Sequence, residues 1–201
     1  MNRLQRTLLT CLIAGSSFQI FAQQLSLFTQ YRENQSIINP AAVNGSYLTH
    51  QQNLSFGASY RAQWAGLENA PTTATLRGEY LYTGGGSVSL IAGGYLVNDQ
   101  TGPTGFTGIY GRIGGLLSSD PEYAGISIGL SAGAVQYRVN TSEITLRDEG
   151  DILSGDDQSK IFPDVGVGVY AYSQLDNGGF FDGDYLYGGI SIPQAIGLDL
   201  T

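Results

Sequence analysis

The sequence predicts an all-β fold: an antiparallel, up-and-down transmembrane β-barrel, incomplete at about seven strands and preceded by a signal-peptide helix. Three observations carry this. Apolar residues alternate with small or polar ones at period two from residue 53 onward. Glycine (29) and tyrosine (13) are abundant while charged residues make up 13%, about half the share of a soluble domain. No run of eighteen apolar residues exists to cross a bilayer as a helix. Low charge argues against a soluble secreted β-sandwich, because such a surface needs more ionised groups.

The chain divides into three parts. Residues 1–22 read as a signal peptide: Arg3 and Arg6, then the apolar "TLLTCLIAGSSFQIF", then Ala22 for cleavage, with a mature start near Gln23. Cys11, the single cysteine, lies in this leader, so the mature chain has no disulfide and no thiol chemistry. Residues 23–52 alternate weakly and contain "INPAAVNG", a Pro- and Gly-rich stretch unsuited to a ladder. That segment is expected on the periplasmic side or plugging the lumen. Residues 53–201 form the barrel domain, truncated at its C-terminus.

The strands follow in order. "NLSFGASYR" sets Leu54, Phe56, Ala58 and Tyr60 against Ser55, Gly57, Ser59 and Arg61. "TTATLRGEYLY" (72–82) is weaker. "SVSLIAGGYLV" (87–97) puts Val88, Leu90, Ala92 and Leu96 on one face, and "TGFTGIYGRIGGLL" (104–117) is blurred by glycines. "YAGISIGLSAGAVQYRV" (123–139) is the cleanest, with Ile126, Ile128 and Leu130 opposite Gly125, Ser127, Gly129 and Ser131. "DVGVGVYAY" (164–172) and "DYLYGGISI" (184–192) complete the set. An aliphatic face backed by a Gly/Ser face fits lipid outside and a tight interior.

Connections are expected to alternate in length. "TGGG" and "SSDPE" are short; the passage around Trp64, "NDQTGPTG" and the acidic "NTSEITLRDEGDILSGDDQSKIFP" are longer, and "SQLDNGGFFDG" breaks the rule. Short turns face the periplasm in such barrels. Tyr80, Tyr82, Tyr110, Tyr170, Tyr172, Tyr185 and Tyr187, near strand ends, are expected to form the interfacial girdle. Seven strands is odd where single-chain bacterial barrels are even, so the reading is a truncated or split barrel, or one that closes with another chain.

Catalytic and ligand classes find little support. His50 is the single histidine, with no nucleophile beside it in sequence. The Gly-rich stretches lack the phosphate-loop Lys-Ser/Thr. Asp148, Glu149, Asp151, Asp156 and Asp157 lack calcium-loop spacing and read as a solvated outer loop. Removing the leader leaves a net charge of −10, seven basic against seventeen acidic residues, so no nucleic-acid footprint exists. No catalytic, cofactor-binding or metal residue is expected.

The ordered motifs resemble one family. "FTQYRENQSIINPAAVNGSY", "SYRAQWAGLENAPTT", "VNDQTGPTGFTGIYGR", "FPDVGVGVYAYS" and "YLYGGISIPQ" are similar to successive elements of the PorP/SprF family of Bacteroidetes outer-membrane proteins. Asn39, Pro40, Arg61, Gln63, Trp64, Gly66, Ala70, Pro71, Asn98, Asp99, Gly102, Pro163, Asp164, Gly188 and Pro193 stand at motif positions. The resemblance implies a non-enzymatic component of type IX secretion and gliding motility in the outer membrane. Its implied partners are outer-membrane lipid, periplasmic secretion-ring proteins and a secreted adhesin-like client. The alternative reading is a passive outer-membrane diffusion pore. Inner faces of Gly and Ser with few charges argue against a selective porin.

Overall fold

The alternating stretches form seven strands: β1 (Leu54–Ala62), β2 (Thr72–Tyr82), β3 (Val88–Thr101), β4 (Thr104–Asp120), β5 (Ala124–Val139), β6 (Gln158–Gln174) and β7 (Tyr185–Ile192). They lie in the order β1-β2-β3-β4-β5-β6-β7, each antiparallel to the next. The sheet is curled into a half-barrel. The structure, a computed structural model, describes residues 31–67, 69–84, 86–140, 158–176 and 183–195. The signal-peptide helix and the acidic stretch Asp148–Asp157 lie outside them. Among the described residues no helix is long and apolar enough to cross a membrane, which says nothing of a crossing by strands.

Because side chains alternate across a strand, each strand has one convex and one concave face. Leu54, Phe56, Leu76, Leu90, Ile109, Ile113, Ile126, Ile128, Val169 and Ile190 stand exposed on the convex side. The adjacent Ser127 is 1% exposed and Ile128 64%, which fixes the face assignment in β5.

Two connections differ from the sequence reading. "NDQTGPTG" is strand rather than loop: Thr101 pairs with Thr104 across a two-residue turn at Gly102 and Pro103. Gly102 sits at φ 55, a left-handed conformation that glycine adopts without a Cβ clash. The expected alternation of short and long connections therefore fails at this hairpin. β6 begins at Gln158, within the stretch read as acidic loop, and runs through Pro163. Among the described residues β7 pairs with residues 167–174 and no strand pairs with Pro163 on that side, where a missing N–H costs least.

The tyrosine girdle is also corrected. Tyr80 and Tyr82 point outward and are exposed, but Tyr110, Tyr170 and Tyr172 are buried on the concave side, and Tyr185 packs against the buried core. Tyr187 stacks on Tyr170 at 6.0 Å between ring centroids, and Tyr95 on Tyr110 at 4.7 Å. In β6 the valines take the odd positions, so Tyr170 and Tyr172 share the glycine face.

The core lies between this concave face and residues 33–50. Two short helices shape that segment, α1 (Gln35–Ile38) and α2 (Gly45–His50). Asn44 caps α2 by accepting from Ser46 N at 2.8 Å, and Gln51, at φ 56, ends it. Ala41, Ala42, Val43, Tyr47 and Leu48 pack on Leu81, Ile91, Leu116, Tyr170 and Tyr172. Ile37 joins Tyr95, Val97, Tyr110 and Val135.

Ile128→Arg should lower folding stability in lipid vesicles by about 2–4 kcal/mol, the cost of a mid-bilayer arginine on the lipid face. Ser127→Arg should insert normally but expel residues 39–43, read as protease cleavage within that segment. Equal folding yields and equal protease resistance in the two variants would show the face assignment to be wrong.

Candidate functional site

A curled sheet with glycines on its inner face leaves room for another chain segment close to its backbone. The "INPAAVNG" stretch occupies that room. A Cβ built at Gly129 would land on Pro40 O, and one at Gly168 on Asn39 Oδ1. Asn39 Nδ2 donates to Val169 O at 3.0 Å, while its Oδ1 accepts from Ala41 N at 2.9 Å. Ser127 Oγ donates to Ala41 O at 2.6 Å and Ser191 Oγ to Ile38 O at 2.8 Å. The segment thus uses its own backbone carbonyls to bind β5 and β7.

Charged groups complete the attachment. Arg112 of β4 is almost wholly buried and donates Nη1 to Pro40 O at 3.1 Å and to Ala42 O at 3.0 Å. Its Nη2 meets Glu79 Oε2 at 2.7 Å, and Glu79 Oε1 accepts from Ser36 Oγ at 2.6 Å. Next along β2, Arg77 meets Glu33 at 2.6 Å. Tyr110 OH donates to the buried Asp164 at 2.7 Å. The interior therefore holds Arg77, Glu79, Arg112 and Asp164, more charge than the Gly/Ser reading allowed. Glu33, Arg77, Glu79 and Arg112 are engaged with one another or with the docked segment and do not form a ring around an open channel.

The motif residues fall into separate places. Asn39, Pro40 and Asp164 belong to this packed interior. Arg61, Gln63, Trp64, Gly66, Ala70 and Pro71 form or adjoin the β1–β2 loop at one rim. Gln63 N donates to Pro71 O at 2.9 Å, and the Gln63 amide oxygen, turned to face Arg61, accepts from its guanidinium at 2.8 Å. Trp64 has φ 51 and Gly66 φ 111, and the indole is 70% exposed. A tryptophan in the left-handed region is strained by about 1–3 kcal/mol. The β3–β4 hairpin joins this rim: Thr73 Oγ1 donates to Asp99 Oδ1 at 2.5 Å, Gly102 N to Asn69 O at 3.3 Å, and Asn98 Nδ2 to Thr107 Oγ1 at 2.8 Å. Pro163 points outward from β6. Gly188 pairs with Ala171, and a Cβ on Gly166 would crowd Pro193 O.

At the opposite end a cavity of about 930 Å³ opens between α2, the β4–β5 turn and β7. Burial, then the charges of Glu122 and Asp120, push the Tyr47 phenol above its ordinary range. No group of His, Cys, Asp and Glu among the described residues is arranged to hold a metal.

The decisive comparison is with family models. One described as "Type IX secretion system membrane protein PorP/SprF" matches residues 20–201. The chain belongs to the PorP/SprF family. As a PorP/SprF protein it is a non-catalytic component of type IX secretion in the outer membrane. No curated protein and no solved structure matches it.

Sequence reasoning missed Arg77, Glu79, Arg112 and Ser191 as interior contacts of this PorP/SprF chain, and placed Ser127 on the interior face without its partner. A signal was available. Arg77 and Glu79 alternate with Leu76, Gly78 and Tyr80, so a lipid-facing Leu76 forces both charges inward.

Arg112→Leu leaves Glu79 buried without its cation and should cost about 3–5 kcal/mol. The double variant Arg112→Leu/Glu79→Leu should recover part of that loss. Denaturant unfolding in detergent checks this, and a double variant no more stable than the single one would deny the coupling. Trp64 is the sole tryptophan. Its emission in vesicles should be quenched more by lipids brominated near the headgroup than near the chain end. The opposite order would place the indole away from the interface.

Proposed function

We propose that this chain acts by binding: seated in the outer membrane, it engages periplasmic ring proteins of the secretion machinery and assists export of an adhesin-like client. The observation that carries this reading is the docking of residues 33–48 on the concave face. Glu33, Asn34, Ser36, Asn39 and the carbonyls of Ile38, Pro40, Ala41 and Ala42 are bound to strand side chains or backbone there. A space filled in this way has little use as a conduit, which counts against the diffusion-pore alternative.

The docking also changes where a partner would touch. Ile37, Asn39, Ala41–Val43, Tyr47 and Leu48 are buried and have no surface to offer. What remains at the cavity end is the tail of α2 at Thr49 and His50, with the β4–β5 turn at 121–123 and, among the described residues, 83–84, 86–87, 175–176 and 183–184. In this proposal that end faces the periplasm.

A tagged full chain, extracted from outer membranes in mild detergent, should co-purify with periplasmic ring components. Client export should fail without the chain and return when it is restored. The purified protein should conduct little in planar bilayers. Robust monomer conductance with normal export in the chain's absence would replace this reading with the pore.

A further inference from the structure

We infer that the cavity between α2, the β4–β5 turn and β7 is a docking site for a basic peptide segment, carrying lysine or arginine, of a periplasmic protein. The inference rests on the binding reading above and assigns the partner's chemistry.

Three carboxylates line the cavity: Asp120 at the end of β4, Glu122 in the β4–β5 turn and Asp184 before β7. Among the described residues Arg32 is the one guanidinium lining the cavity against three carboxylates, so the balance is acidic. The carboxylates differ in what already holds them. Glu122 Oε2 accepts from Gln51 Nε2 at 2.7 Å, and Asp120 Oδ1 accepts from Glu122 N at 3.1 Å. These bonds fix the two side chains on the turn and leave each an oxygen for an incoming cation. Tyr123 and Tyr187 supply aromatic faces beside the carboxylates, and a tyrosine face attracts an ammonium or guanidinium.

A second observation points to a ligand and does not depend on the acids. Gln35 lines the cavity and is 7% exposed. Its Oε1 accepts from Tyr170 OH at 3.3 Å, but its buried Nε2 has no partner in the structure. A buried amide donor without an acceptor is costly and calls for a carbonyl or carboxylate to complete it. A peptide brings both groups at once: a cationic side chain for the acidic turn and a backbone carbonyl for Gln35. A bare metal ion lacks the acceptor, and an anion would meet the carboxylates.

The test uses the purified full chain in detergent and a fluorescent lysine–glycine peptide, followed by anisotropy at physiological salt. Asp120→Asn/Glu122→Gln/Asp184→Asn should weaken binding at least tenfold. These three positions are exposed, and an unchanged melting temperature confirms that the fold is kept. Asp148→Asn/Asp151→Asn/Asp156→Asn removes the same charge elsewhere in the sequence and should leave affinity within about twofold. Gln35→Met should weaken the peptide several-fold, and acetylating the peptide lysines should abolish binding. Equal losses in the two charge-matched triple variants would reduce the effect to net charge and overturn the site, as would no binding to the parent chain. Failure of ring components to co-purify with the parent chain would overturn the proposed function instead, leaving the peptide result to stand by itself.

Discussion

The buried guanidinium of Arg112 is the interaction on which the rest of the interior depends. It binds a carboxylate of β2 and two carbonyls of the N-terminal segment through two of its nitrogens. A guanidinium taken out of water is costly unless its charge and its hydrogens are met together. Glu79 meets the charge and a hydrogen of Nη2, and Pro40 and Ala42 meet the hydrogens of Nη1, leaving Nε unbonded. The carbonyls are available because the segment is not helical between α1 and α2. The segment's irregular backbone and the buried arginine therefore each satisfy what the other lacks. The glycines of β5 and β6 then set how near the segment can come.

Much of the sheet was legible in the sequence, and β2 was read with the bounds it has. Alternation is a local property, and in β5 nothing obscures it. The failures have distinct physical causes. Asn98 to Thr101 look like a loop because polar residues dominate, yet backbone pairing with β4 holds them extended. Pro163 looks like a boundary, and is one only for strands with neighbours on both sides. Tyr170 and Tyr172 were assigned to the girdle from position along the strand, when parity with Gly166 and Gly168 already placed them inside. The interior contacts of Arg112 were illegible for another reason: its carbonyl partners are more than sixty residues away, and carbonyls leave no mark in side-chain patterning.

All motif positions but Pro163, Gly188 and Pro193 divide between two tasks. One set shapes the rim where the β1–β2 loop meets the β3–β4 hairpin, with Trp64 held in a strained conformation and its ring outward. The other set, Asn39, Pro40 and Asp164, fastens or supports the interior. The cavity carrying Asp120, Glu122 and Asp184 contains no motif position, so its chemistry had to be read from the assembled turns.

The contacts that fasten the N-terminal segment also order events in time. Asn39 binds Val169 across 130 residues, and Ser191 binds Ile38 across 153. A segment synthesised before the sheet thus has partners on β6 and β7, which are synthesised after β1 to β5. Such remote closures are slow, because loop entropy is spent before the contact is made. Until β6 and β7 have joined the sheet, the stretch from Ile38 to Ala42 has only part of its bed. Its docking then follows the pairing of β6 and β7, and a chain with that stretch in place is one in which both have already joined the sheet.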